Sequence, residues 1–600
     1  MTVRTAGVND RIEKIREEMK KRGITMYIVP TSDFHESEYV GDYFKTRSYL
    51  TGFTGSAGTA VITLTQAGLW TDGRYFIQAK QQLKGSEVTL FRMGEEGVPT
   101  VEEFVRQNLR QGACLGFDGR VVNARAGETY EEIVTEKQGT IAANEDLAGI
   151  IWKDRPPFPK YPAFLLGEEY TGESTGNKLT RVREKMKENR AGVHILTSLY
   201  DIAWLFNIRG GDIAHVPVVM SFAAVTMEES FWFVHREVLD EEILRYCAQH
   251  RIIIKDYEDI YAYAENIPQD QKVLLDKRIV NYRICHSLKA EIIAKRNPTE
   301  LMKAVKNQTE IRNIRNAHIK DGVAFTKFLY WLKNRIGKET ISEMSASDYL
   351  ERCRQEQELF SDLSFDTISA YGANAAMMHY AATTETNATL RPEGFLLVDS
   401  GGHYLDGSTD ITRTISLGNL TREQKELFTA VCRCNLNLAA AKFLYGCRGT
   451  NLDILARGPL WSLGLDYKCG TGHGIGYFLN VHEGPNAFRW RRSAEPDGDC
   501  VLEEGMITTD EPGIYLEGSY GIRTENEILC RKAEKNEYGQ FMEFEIITYA
   551  PIDLDAILPE EMTAKERGLL NEYHKMVYEK LSPCLEWEER EWLRRYTREI

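Results

Sequence analysis

The chain lacks the features that would place it in a membrane, in a disulfide framework or on a nucleic acid. No uninterrupted apolar run among its 600 residues approaches the roughly 20 needed to span a bilayer, and Met1 to Lys20 is polar and charged, without the apolar stretch of a secretory signal. Secretion and membrane anchoring are therefore not expected. Eleven cysteines, an odd number scattered from Cys114 to Cys584, show no framework spacing and read as reduced thiols of a cytoplasmic protein. Cys432 and Cys434 are close enough to suggest a metal, but in a helix expected around Leu427 to Leu444 positions two apart do not share a face, so both read as core. The net charge is −15, and no Lys/Arg cluster stands apart from interspersed acids, which argues against nucleic acid or an anionic membrane as partner. What is present is 42% hydrophobic residues, enough for several cores, in a length that normally means more than one domain.

Periodicity organises the chain as alternating helices and strands. A first helix is expected from an Asn9-Asp10 cap through Ile12, Ile15 and Met19 to Gly23, followed by a strand over Met26 to Val29. The theme returns with a helix over Asn177 to Glu188 and a strand over His194 to Leu196. Ala203-Trp204-Leu205-Phe206-Asn207-Ile208-Arg209-Gly210-Gly211 echoes Ser48-Tyr49-Leu50-Thr51-Gly52-Phe53-Thr54-Gly55, a weak repeat. The Pro-dense segment Trp152 to Pro162 lies between the two as a linker. A long helix capped at Thr309 and running to Gly337 opens a further unit. Thr563-Ala564-Lys565-Glu566 has capping-box spacing for a helix toward Lys580, and Leu585 to Tyr596 supplies another.

Five residues in that later unit, Asp399, Asp410, His473, Glu511 and Glu525, have the order and residue types of a two-metal hydrolase site. Asp399 and Asp410 lie on two strand-like runs around an Asp406-Gly407 turn, a hairpin that would bring the carboxylates together. His473 stands in Gly470-Thr471-Gly472-His473-Gly474-Ile475-Gly476, Glu511 in Asp510-Glu511-Pro512-Gly513 and Glu525 in Arg523-Thr524-Glu525-Asn526. Each motif alone is weak, and a single acid in a strand is usually a solvated face. Together, four carboxylates (−4) would neutralise two divalent cations (+4), with a bridging hydroxide completing the site. An oxygen-rich set with one imidazole suits Mn²⁺, then Co²⁺ or Zn²⁺.

Leu397 to Thr414, Gly470 to Pro485 and Thr508 to Asn526 resemble the pita-bread metallopeptidases, in their long, three-domain Xaa-Pro aminopeptidase form. Gly55-Ser56-Ala57-Gly58-Thr59-Ala60 and Trp70-Thr71-Asp72-Gly73-Arg74-Tyr75-Phe76 resemble that family's first domain, Ile202 to Gly210 its second, and Phe541 to Pro551 with the tail beyond its carboxy-terminal extension. The resemblance implies an α/β (α+β) fold: two creatinase-like domains over 1–155 and 156–305, a pita-bread catalytic domain over 306–540, and a helical extension over 541–600 for homodimerisation, although an intramolecular brace is equally open. It implies hydrolysis of the first peptide bond of short Xaa-Pro peptides. Asp410 and Glu525 would bridge the ions, Asp399 would complete one site, and His473 with Glu511 the other.

By the same resemblance His379 and His482 bind substrate and stabilise the tetrahedral intermediate, and Arg523 stands near the site with a salt bridge as its plainer reading; Glu511, as a carboxylate touching the nucleophile, reads as the proton shuttle. One residue departs from the pattern: the family usually carries a histidine four positions before the ligand imidazole, where this chain has Cys469. With no thiolate-activating cluster evident, Cys469 reads as packing or support and not as a nucleophile. The alternatives are a prolidase, a non-catalytic binding protein of the same fold, and a metal-independent creatinase-like enzyme; the last two should have lost metal ligands.

Overall fold

The computed structural model describes residues 3–491 and 499–600, which form two compact units: 3–166 with 173–299, and 167–172 with 300–600. Each unit is built from sheets whose central strands are runs of Val, Ile, Leu and Ala, buried on both faces and covered by amphipathic helices.

The first unit holds two six-stranded sheets of identical topology. One is ordered Val88–Arg92, Ala67–Thr71, Thr59–Thr63, Ile24–Pro30, Cys114–Phe117, Thr140–Ala142; the other Ile252–Lys255, Ser230–Val234, Ser221–Thr226, Val193–Leu196, Lys272–Leu275, Glu291–Ala294. In each, two antiparallel pairings stand beside three parallel ones in the same sequence. The weak repeat is thus a structural duplication. Its aligned positions include Gly52 and Asn207, and both end a helix in the left-handed conformation, at φ 73° and 54°.

The duplicated halves dock reciprocally. Ala124 N–H donates to Val280 O at 2.8 Å and Tyr282 N–H to Val122 O at 2.8 Å, while Arg125 N–H reaches Lys277 O and Arg283 N–H reaches Gly119 O, both at 2.9 Å. The same contacts running in both directions are what a local two-fold produces. The segments that make them match as well: Arg120 clasps Asp118 and Arg278 clasps Asp276, and Asn123 and Asn281 each cap the helix that follows.

The second unit carries a three-stranded sheet (Ile368–Tyr371, Phe395–Ser400, Ile411–Ser416) and a six-stranded one ordered Lys442–Leu444, Gly539–Ile546, Asn526–Asn536, Ile507–Asp510, Gly472–Gly474, Glu483–Phe488. Helices Gln308–Arg335, Arg422–Ala439 and Ala564–Leu581 share one apolar core with them. The carboxy-terminal helices are part of this packing, because Leu570, Tyr573, Val577, Leu581, Trp592 and Leu593 are all buried in it.

Several boundaries differ from the sequence reading. The first helix is Val3–Lys21, so Asn9 and Asp10 lie inside it and Asp10 pairs with Lys14 one turn on. The long helix starts two residues earlier than expected, capped by Asn307, whose side chain accepts from the N–H groups of Thr309 and Glu310 while Glu310 answers as a capping box. The helix around Leu427 ends at Ala439, and Lys442–Leu444 becomes an edge strand; Cys432 and Cys434 are both buried in the core. The Thr563 capping box stands as expected.

Candidate active site

The expected hairpin brings the first two carboxylates together. Phe395–Ser400 and Ile411–Ser416 pair antiparallel with Asp399 opposite Thr412, and Asp410 sits one residue ahead of the second strand; a small inner hairpin, Gly402–Tyr404 with Gly407–Ser408, turns at Asp406. His473 occupies a strand of three residues, Gly472–Gly474. A Cβ on Gly472 would collide with Thr509 O and one on Gly474 with Glu483 O, so only glycine lets the strand enter there. The His473 Nδ1 lies 2.9 Å from Gly474 O, and since a carbonyl only accepts, Nδ1 carries the proton and Nε2 is left as the ligand atom. That Nε2 is 3.5 Å from both Asp410 Oδ2 and Glu511 Oε1.

Glu511 follows the strand Ile507–Asp510, its N–H bonded to Thr471 O at 2.8 Å. Glu525 lies between two strands, held by its N–H to Thr412 O at 3.1 Å and by Thr412 Oγ1 donating to its Oε2 at 2.6 Å. Ligand atoms of Asp410, His473 and Glu525 all come within 4.8 Å of one another. Asp399 stands beside them with its Oδ2 on the Arg523 guanidinium, while its buried Oδ1 has no hydrogen-bond partner among the described residues. Arg523 is fixed in turn by Tyr515 Oη at 2.7 Å and Thr412 Oγ1 at 3.2 Å.

Burial, then repulsion from Glu525 and Asp399, pushes the Asp410 carboxyl well above its ordinary range; Glu525 rises by burial and by Glu511 and Asp399. Glu511 is pushed up by burial to about 7, with Arg523 opposing. Burial alone would weaken the charge on Arg523, but Tyr515, Asp399 and Glu511 outweigh it. Four acids crowded into a largely buried site are tolerable with cations among them, and the orphaned Asp399 oxygen and the His473 Nε2 between Asp410 and Glu511 supply matching donors. The residues present fit two divalent ions.

His482 places its ring against that of His473, centroids 4.3 Å apart and nearly perpendicular. Lys306 grips the neighbouring Glu483 at 2.5 Å. His379 lies in the turn after the short helix Gly372–Ala376, which packs so closely on Tyr520–Arg523 that a Cβ on Gly521 would collide with Ala375 O. Cys469 is no thiolate: burial, then Glu511, pushes its thiol up to about 12, and its carbonyl accepts from the buried Arg457 at 2.6 Å. The sequence reading missed Thr412, Tyr515, Glu527 and His318. Glu527 had a signal, since it is an acid two residues from Glu525, which was already in the set.

Comparison with known proteins agrees with this geometry. The Creatinase/Prolidase N-terminal domain family matches twice, at residues 11–155 and 154–310; metallopeptidase family M24 matches 312–532, and the C-terminal region of peptidase M24 matches 540–600. The chain is 37% identical to Aminopeptidase P1 of Arabidopsis thaliana over 96% of each protein, and 38% identical to Xaa-Pro aminopeptidase 1 of Dictyostelium discoideum over 98% of this chain and 95% of that one. The crystal structure of the Caenorhabditis elegans X-prolyl aminopeptidase, described as a cytosolic enzyme with a di-nuclear active site, superposes with a TM-score of 0.93 at 32% identity, covering 99% of this chain and 100% of that one. The chain belongs to the three-domain Xaa-Pro aminopeptidases of metallopeptidase family M24.

Proposed function

We propose that the chain removes the first residue of short peptides with proline at the second position, using two divalent ions, Mn²⁺ by preference. The observation that carries this is the convergence of Asp399, Asp410, Glu511 and Glu525 with one imidazole in a buried site. Asp410 and Glu525 would bridge the ions, with Asp399 on one and His473 and Glu511 on the other. The ions, when bound, supply acidification of a shared water and polarisation of the scissile carbonyl.

The remaining chemistry belongs to side chains. Glu511, a carboxylate beside the attacking water, takes a proton from it and delivers it to the departing proline nitrogen. That delivery is essential, because a nitrogen leaving as an anion is too basic to depart unprotonated. His482, beside His473, and His379 donate to the oxygen that gains charge. Arg523 holds the Asp399 carboxylate in place.

Mass spectrometry of digests decides the substrate class. Ala-Pro-initiated peptides of three or more residues should lose only their first residue, and matched Ala-Ala peptides should stay intact. Comparable cleavage of both series overturns the reading in favour of a broad aminopeptidase, and turnover confined to dipeptides would make it a prolidase.

Two further proposals complete the reading. Division into 1–155, 156–305, 306–540 and 541–600 is supported by the spans of the family matches. A cytoplasmic homodimer is supported by eleven free thiols and by exposed apolar side chains on the second unit, Trp461, Leu463, Trp490 and Trp587. Among the described residues no helix is long and apolar enough to cross a membrane. Sedimentation at the mass of one chain would overturn the dimer.

A further inference from the structure

A fifth carboxylate, Glu527, lies fully buried directly behind the proposed metal ligands, where nothing in the mechanism uses it. Its Oε1 accepts the N–H of Asp410 at 2.8 Å. Its Oε2 lies 3.0 Å from His318 Nε2, and neither atom has a hydrogen-bond partner among the described residues. His318 itself is fully buried on the long helix Gln308–Arg335.

The place of this contact in the backbone gives it a purpose. Segments 410–416 and 523–527 run antiparallel past each other, with Arg523 N–H on the Thr414 side-chain Oγ1 at 3.0 Å and one backbone rung, Glu525 N–H on Thr412 O, at 3.1 Å. The next rung should join residues 410 and 527. By then the backbones have parted, because the carbonyl of Glu527 is taken by Ile547 N–H at 3.0 Å and its N–H by Thr548 Oγ1 at 2.8 Å. The Glu527 side chain therefore closes the rung that its backbone cannot. Both carboxylates proposed to bridge the ions, Asp410 and Glu525, project from this one stretch of ladder.

We infer that Glu527, pressed into position by His318, is a positioning residue that sets the spacing between Asp410 and Glu525 and thereby the affinity of the dinuclear centre. This rests on the two-metal reading above. In a backbone ladder a missing rung lets the strands splay, and metal sites are sensitive to outer contacts that orient their ligands. The bond to the Asp410 amide needs an oxygen acceptor and no charge, so an amide in place of the carboxylate should preserve it.

The test is Mn²⁺ titration of the metal-free full chain, followed by calorimetry and by the electron paramagnetic resonance signal of coupled Mn²⁺ pairs. Wild type should bind two ions and give the coupled signal; if it binds one or none, the two-metal reading fails whatever Glu527 does. Glu527→Ala should weaken binding by about ten- to a hundredfold, the usual scale for such partners, and show uncoupled Mn²⁺ at substoichiometric loading. Glu527→Gln should stay within a few-fold of wild type. If Glu527→Ala does not fold, His318→Leu, which keeps bulk and removes the imidazole, should shift affinity the same way. Wild-type affinity and coupling in Glu527→Ala, or in His318→Leu where that variant stands in, overturns the inference, as does a loss in Glu527→Gln equal to that of Glu527→Ala.

Discussion

Asp410 and Cys469 show how burial gives two side chains in one site opposite standing. Asp410 is 3% exposed and its charge is opposed by burial, Glu525 and Asp399, so it needs cations to stay ionised. Asp410→Asn should abolish turnover and lower the Mn²⁺ content, while the metal-free variant melts no lower than metal-free wild type, because without cations the buried carboxyl is held protonated and a neutral amide of the same shape replaces it. Cys469, with its thiol held protonated, has no step to perform. Cys469→Ala should cost about ten- to a hundredfold in kcat/KM at most, the scale of an outer contact. A fall beyond roughly ten-thousandfold with full metal content would instead make the thiol the nucleophile.

At the scale of elements, one buried guanidinium gathers the carboxy-terminal extension and the catalytic strands into a single polar knot. Arg413 is fully buried with only neutral acceptors in reach: the carbonyls of Thr412, Glu525, Ala550 and Pro551, Asn526 Oδ1 and Tyr573 Oη. Tyr573 comes from the helix Ala564–Leu581 and passes its own proton to Ala550 O at 2.6 Å. Tyr573→Phe should therefore destabilise the second unit by about 1–3 kcal/mol, the cost of leaving a buried donor unmet. Calorimetry of the Mn²⁺-loaded protein should show a lower Tm; an unchanged transition would mean that the extension is held by its apolar face alone. The sequence announced this helix through its Thr563 and Glu566 box, but nothing in it linked Tyr573 to Arg413, 160 residues away.

For the whole molecule, the acid cluster makes stability depend on pH in a direction that metal reverses. Folding raises Glu511 from an ordinary 4.5 to about 7, and raises Asp410 and Glu525 further. Between those limits the native state binds more protons than the unfolded chain, so its stability is complete below the ordinary value and is lost as pH rises through the folded one. Bound cations cancel the repulsion and remove this loss. The Tm gap between Mn²⁺-loaded and metal-free protein should therefore widen from about pH 5 to about pH 8. Scanning fluorimetry of both forms measures it, and a gap that is flat or narrows would show that the carboxylates are not what strains the metal-free fold.

Sequence alone determined the chemistry available to this protein, because ligand types are properties of residues and their order is read directly: Asp399, Asp410, His473, Glu511 and Glu525 needed no coordinates to be grouped. It determined the local structure where short-range rules act, as in the Thr563 cap; the glycines around His473 were legible, but their reason, the approach of the Thr509 and Glu483 carbonyls, is tertiary. The duplication was legible in one segment, Ser48 to Gly55 against Ala203 to Gly211, and invisible in the reciprocal bonds of Ala124 and Tyr282, since main-chain hydrogen bonds leave no mark on side-chain identity. Tertiary structure alone decided that Asp399 is tied to Arg523, that His473 shows its Nε2 to Asp410 and Glu511, and that Glu527 closes a rung behind Asp410. Those contacts join residues about 40 to 125 positions apart, and chain separation of that size is resolved only by the packing that folds the strands together.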